Sequence, residues 1–152
     1  MNINKPLQWE KSADFIKKYT LTYAKNRVVI FDNRYHFLAF IGGKSFRKIK
    51  FNDKCRIKRQ LQTTLKQQVG EQKVKSIYNE RLAVRLDLYL TEDYLKRVDI
   101  DNVAKTVIDC LNGICWKDDK QILSLDVIKS RTDKGAIGIT IGRFLRFRCL
   151  YG

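Results

Sequence analysis

The stretch from Leu82 to Leu90 alternates without a break. Leu82, Val84, Leu86, Leu88 and Leu90 point one way, and Ala83, Arg85, Asp87 and Tyr89 the other. A period of two makes this a strand whose leucine face demands a covering layer. The cover follows close behind. Val103, Val107, Cys110, Leu111 and Ile114 recur at i, i+4, i+7, i+8 and i+11, which is one apolar face of a helix. Ile122 to Ser130 then reads as a further strand. Strand, helix and strand in this order predict an α+β (α/β) domain, a small mixed and largely antiparallel sheet flanked by helices.

The rest of the chain fits the same plan. Arg27 to Phe31 is rich in β-formers, Asp32-Asn33 is turn chemistry, and His36 to Ile41 reads as a second strand. Gly42-Gly43 would turn the chain into a third strand, Lys44 to Phe51. Asn52 is placed to cap a helix running to about Gln68, with Ile57, Leu61 and Leu65 on one stripe and Gly70 just beyond. Lys54, Lys58 and Lys66 lie on its opposite face, as a solvated surface or as phosphate contacts. Near the end, Ala136 to Ile141 returns after the loop Arg131-Thr132-Asp133-Lys134-Gly135, and a tail from Arg143 to Arg148 alternates basic and apolar residues. Residues 1–26 look like an extension. Trp9, Ala13, Ile16, Tyr19 and Tyr23 recur there at helical spacing, so a helix is expected over about 10–25. We therefore expect an N-terminal helical extension, 1–26, and a single domain over 27–152.

At 152 residues, with a formal charge of +15, the chain is one conventional domain with a polyanion as its leading partner. No apolar run reaches the length of a spanning helix and no signal-peptide core follows the start, so a soluble, cytoplasmic protein without a membrane role is expected. The cysteines at 55, 110, 115 and 149 form no Cys-x-x-Cys pair, and His36 is the single histidine, which argues against a zinc site. Cys110 and Cys115 read as small buried apolar residues.

Against this basic background the acids are concentrated. Of 16 acidic residues, eight fall between Glu92 and Asp126, with five basic residues among them. Carboxylates grouped inside a positive surface suit a hard divalent cation, and the surround suits a polyanion. Asp99 and Asp101 are two apart, so an extended chain would send both to one side. At a helix start, Asp101 also has a plain role as a cap, which leaves Asp99 harder to explain structurally. Lys105, Asp109 and Asn112 share the polar side of the helix with Asp101. Asp109 sits one turn from Lys105, and an i,i+4 ion pair accounts for it. Asp118 and Asp119 are adjacent, so only one can easily reach the first pair. The helix could return the chain so that Asp119 comes back near the Asp99–Asp101 end. Three such carboxylates suit Mg²⁺, with Mn²⁺ as a substitute, and Lys105 could then meet a scissile phosphate.

The run Asp99-Ile100-Asp101-Asn102-x-x-Lys105, then Asp109-x-Leu111-Asn112-Gly113, then Trp116-x-Asp118-Asp119-x-Gln121-Ile122, resembles the RusA family of Holliday junction resolvases. The resemblance is strong over 98–128 and looser to Ile141. It implies that Asp99, Asp101 and Asp119 are catalytic metal-binding acids, with Lys105 at the phosphate and Asp118 or Asp109 as supporting or alternative ligands. It also implies Mg²⁺ dependence, a homodimer, and paired nicks across a four-way DNA junction in recombination and repair. Such proteins are frequent in phages and prophages. Lys96, Arg97, Lys117, Lys120, Lys129, Arg131 and Lys134 flank the acids and are the expected DNA contacts. The prolines that usually open the family's first strand are absent here; only Asn33-Arg34-Tyr35 stands at the corresponding place. Two other readings remain open at this point. One is a nuclease for flaps or forks. The other is a non-catalytic DNA-binding module whose basic-aromatic tail stacks on bases.

Overall fold

A computed structural model describes residues 27–41 and 51–149 of the chain. The strands are β1 (Arg27–Ala39), β2 (Leu82–Leu90), β3 (Ile122–Arg131) and β4 (Ala136–Cys149). The helices are α1 (Phe51–Gln68), α2 (Glu71–Ser76), α3 (Glu92–Leu95) and α4 (Ile100–Leu111). The helix expected over 10–25, and most of the strand expected over 44–51, lie outside the described residues. Phe51 itself is helical, so α1 starts one residue before the cap expected at Asn52. No helix among the described residues is long and apolar enough to cross a membrane.

The four strands form one mixed sheet in the order β1-β4-β2-β3. β4 runs antiparallel to both β1 and β2, while β3 runs parallel to β2. The parallel pair is what the strand–helix–strand pattern requires, since α4 carries the chain back before β3 begins. The leucine face of β2 meets Tyr35, Phe37 and Ala39 of β1 and Ile137, Ile139 and Ile141 of β4. All four helices close over this face through residues such as Ile57, Leu61, Val74, Tyr94, Val103, Val107 and Leu111. Cys110 and Cys115 are buried among them, as expected.

Two elements differ from the sequence reading. Residues 27–39 form one long strand rather than two joined at Asp32-Asn33. The turn residues are spent on bulges instead: the β1–β4 register slips between Ile30 and Phe31 and again between Asp32 and Tyr35, and Asn33 takes a positive φ of 51°. Asparagine tolerates that conformation, and an extra residue in a strand bends it without ending it. Gly142 lies across from this bend. A Cβ there would collide with the Phe31 ring and the Arg34 stem, so only glycine fits. Likewise, the basic-aromatic tail is no separate arm. It continues β4 to Cys149, and its Phe144 and Phe147 pack edge-to-face at 5.3 Å on Val29, Phe31 and Ala83. These rings belong to the sheet, which removes the base-stacking role.

The second face of β2 holds a surprise. Arg85 and Asp87 are only 2% and 5% exposed. The Arg85 guanidinium donates through Nε and NH2 to both oxygens of Asp87, at 2.8–3.2 Å, and through NH1 to Asp126 Oδ2 of β3 at 3.0 Å. Arg85 and Asp126 are register partners in the parallel pair, so one fork of donors ties the central strand to the sheet edge.

Candidate active site

Helix α4 positions the acidic residues. Its start is set by Asp99, whose Oδ1 accepts from the Asp101 amide at 3.0 Å, making Asp99 the N-cap. The sequence reading gave that role to Asp101. Instead Asp101 is exposed in the first turn, where its charge complements the helix dipole. Because Asp101 is already helical, strand alternation does not place the two carboxylates; both lie exposed at the N-terminal end of α4. Lys105 follows one turn later and is also exposed.

The far end of α4 is built with equal care. Asn112 is the C-cap, and Gly113 takes a φ of 82°, a left-handed step that ends the helix. The reversal is tight: Gly113 N donates to Trp116 O at 2.7 Å, and Cys115 N to Leu111 O at 2.9 Å. Trp116 is thereby fully buried. Asp119 comes next, opening a single 3₁₀ turn, Asp119–Gln121. Its Oδ1 accepts from both Asn112 Nδ2 and Trp116 Nε1, each at 2.7 Å. Asp118 points elsewhere and accepts from the Lys120 amide at 2.9 Å. As expected for adjacent residues, the two carboxylates diverge, and Asp118 is the one that caps the turn.

These bonds fix where the acids lie. Asp119 is anchored to Asn112, and Asn112 and Asp101 are separated by the length of α4, about 16 Å at the helical rise. The return of Asp119 to the Asp99–Asp101 end, expected from sequence, does not occur within one subunit. The 3₁₀ turn leads directly into β3, and a strand parallel to β2 must start at the end of the sheet opposite to where β2 finishes. No group of three His, Cys, Asp or Glu among the described residues lies close enough to hold a metal ion. A two-carboxylate set does fit a hard cation at the Asp99–Asp101 end, because Mg²⁺ is commonly held by one or two carboxylates with waters and phosphate oxygens completing its shell.

Asp109 has a different partner from the expected one. Its carboxylate pairs with Lys54 of α1 at 3.4 Å, rather than with Lys105, and both groups are well exposed. The cations expected to contact DNA divide in the same way. Lys96 and Arg97 are exposed beside Asp99, and Lys117 and Lys120 are exposed beside Asp119. Lys129 is half-buried, and its ammonium donates to the Leu95 carbonyl at 3.0 Å, so it braces α3. Arg131 pairs loosely with Glu92 at 3.5 Å, and Lys134 sits 4.7 Å above the Phe40 ring.

The sequence reading assigned no role to Asn112, Trp116 or Gln121, although each stands in the quoted motif. Their signal was their place in the motif: Asn112 and Trp116 carry side-chain N–H groups shortly before Asp119, and Gln121 closes the turn that bears it.

Residues 48–142, which span both ends of α4, β2, β3 and the first half of β4, match the family model described as endodeoxyribonuclease RusA. The chain belongs to the RusA family. The match covers well over half its length, including Asp99, Asp101, Asp109, Asp118 and Asp119. No match was found among curated proteins. Family membership makes this an endodeoxyribonuclease domain of a kind that acts on Holliday junctions. The matched segment contains the exposed Asp99, Asp101 and Lys105 and the anchored Asp119.

Proposed function

We propose that this protein is a Mg²⁺-dependent endonuclease that resolves four-way DNA junctions by paired nicks, in recombination and repair in the cytoplasm. The supporting observation is that the RusA match contains α4, whose N-terminus gathers two exposed carboxylates and whose first turn points its amides toward the same end. Asp99 and Asp101 would hold the metal. The ion supplies Lewis-acid polarisation of a phosphate oxygen and an activated water. Lys105, one turn on, would sit against the phosphate and offset charge that builds on it. The positive end of α4 favours the same anion. Exposed Lys96, Arg97, Lys117 and Lys120 would follow the DNA backbone, reading shape and charge rather than base edges.

A two-fold dimer supplies what one subunit lacks. In an isologous contact, surface i of one copy meets surface j of the other, and j meets i. The separation of Asp119 from Asp99 and Asp101 suits that symmetry, because pairing the two ends of α4 across an axis completes two identical sites at once. An available surface adjoins it: β3 is an edge strand, and Leu123 and Leu125 on it are exposed. Two sites related by two-fold symmetry are also what paired nicks on a four-way junction need.

Cleavage of a labelled synthetic junction by wild type and Asp101→Asn, with Mg²⁺ and with chelator, tests the reading. Symmetric, Mg²⁺-dependent nicks that disappear in the variant are expected. Equal binding without cutting by both proteins would overturn it, and faster cutting of flaps or forks would change the substrate but keep the chemistry.

A further inference from the structure

We infer that Asn112, Trp116 and Gln121 are positioning residues that act through Asp119, presenting it as a one-oxygen metal ligand. This inference rests on the reading of Asp119 as a catalytic acid. Two N–H donors from different groups converge on a single oxygen, Oδ1, both at 2.7 Å. A carboxylate held in this way has lost its rotational freedom about the last bond, and its second oxygen, Oδ2, is the one that would be left to meet a cation. Neither donor is a flexible surface group. Asn112 is fixed by its place as the helix C-cap, and the Trp116 indole is fully buried.

Gln121 holds the turn itself. Its Oε1 accepts from the Lys117 and Asp118 amides at 2.9 and 2.8 Å. Its Nε2 donates to the Tyr78 and Glu80 carbonyls, both at 2.8 Å. All four hydrogen-bonding positions of the side-chain amide are thus used. The consequence is geometric: the loop bearing Asp119 is riveted to the chain entering β2, the central strand of the sheet beneath α4. Bracing the turn alone would use the same Gln121 bonds, so the positioning role is distinguished by its effect on metal affinity rather than on stability. Groups that orient a metal ligand from behind typically change metal affinity or activity 10- to 100-fold when removed.

The test uses the full chain and Mn²⁺ as the probe. Mn²⁺ affinity is read from the free-ion EPR signal, and junction cleavage is measured over a metal titration. Trp116→Phe, Asn112→Ala and Gln121→Glu are compared with Asp119→Asn and with the double variant Trp116→Phe/Asp119→Asn. Gln121→Glu keeps the acceptor side but turns a carboxylate toward two carbonyls, so it attacks the clamp without a change of size. Each single variant should weaken Mn²⁺ binding 10- to 100-fold and raise the metal needed for half-maximal cutting by a similar factor. Cutting at saturating metal should fall less, and junction binding in chelator should stay within two-fold. In the Asp119→Asn background, Trp116→Phe should cause no further loss of Mn²⁺ affinity. If Asp119→Asn weakens Mn²⁺ binding while folded Gln121→Glu and Trp116→Phe do not, the positioning role is refuted and the site assignment stands. If Asp119→Asn leaves Mn²⁺ affinity intact, the assignment of Asp119 fails and this inference fails with it.

Discussion

Asp99 carries two duties that a pair of substitutions can separate. As N-cap it accepts from the Asp101 amide at 3.0 Å, and as an exposed carboxylate it is offered to a metal. Asparagine caps a helix about as well as aspartate, whereas alanine costs roughly 1 kcal/mol. Loss of the charge near the positive end of α4 adds a few tenths to 1 kcal/mol for either variant. For a chain of this size each kcal/mol moves Tm by about 2–4 °C. Asp99→Asn should therefore melt within about 4 °C of wild type, and Asp99→Ala about 3–8 °C lower. Cutting should be lost in both. Thermal unfolding by circular dichroism, beside junction cleavage with Mg²⁺, gives the comparison. Asp99→Asn that cuts at the wild-type rate, with only Asp99→Ala impaired and less stable, would show that Asp99 is a cap and nothing more.

The buried Arg85–Asp87 pair should be the most sensitive polar feature of the sheet. Arg85→Met leaves the Asp87 carboxylate buried without its three bonds and should cost about 3–5 kcal/mol in urea unfolding, with Asp87→Leu added to it restoring much of the loss; a loss below about 1 kcal/mol would contradict this. The alkaline limit should be set partly by Cys115, whose thiol is pushed up to about 12 by burial, with the neighbouring Tyr35 hydroxyl opposing that rise. Burial raises the Tyr35 phenol as well. For a folded-state value above the unfolded one, stability is complete below about pH 9 and is lost as pH climbs toward 12, so Cys115→Ala should show a shallower fall in stability between pH 9 and 11 than wild type. Equal slopes would remove Cys115 from the account. For DNA, Lys117→Ala and Lys120→Ala should each reduce the salt dependence of junction binding by about one counterion, while Lys129→Ala should leave it unchanged, because its ammonium is bonded to Leu95 O.

Much of the fold was legible because periodicity reports burial directly. The alternation in β2 located that strand residue for residue, while the apolar stripe from Val103 to Ile114 found α4 but ran past its end at Leu111, and the expected mixed sheet left the β2–β3 direction open. Local turn chemistry was less informative. Asp32-Asn33 reads as a hairpin turn, but eleven register pairs between β1 and β4 outweigh it, and the same residues settle into bulges. The tail from Arg143 looked like a nucleic-acid arm for a similar reason. Alternating basic and aromatic residues are equally the pattern of a strand with one apolar face, and Phe31 and Val29 were available across β1 to cover the rings.

The site shows where reading by spacing stops. Motif spacing singled out α4 and the turn after it, but it could not tell which end of the helix each carboxylate occupies in space. That follows from topology alone. A strand entering parallel to β2 must begin at the opposite end from where β2 finishes, so any residue just before β3 lies a helix length from any residue just after α3. Asp119 could have joined Asp99 and Asp101 within one subunit only if β3 ran antiparallel to β2. On the proposed assignment of Asp99, Asp101 and Asp119, the parallel pairing means that the three acids meet at one phosphate only across two copies, and a variant that keeps the subunit folded but monomeric should lose cutting. Leu125→Glu, on the exposed face of edge strand β3, is the substitution to make. Sedimentation should report the oligomeric state and the junction assay the activity, and a monomer that still cuts at the wild-type rate would show that Asp119 is dispensable to the chemistry.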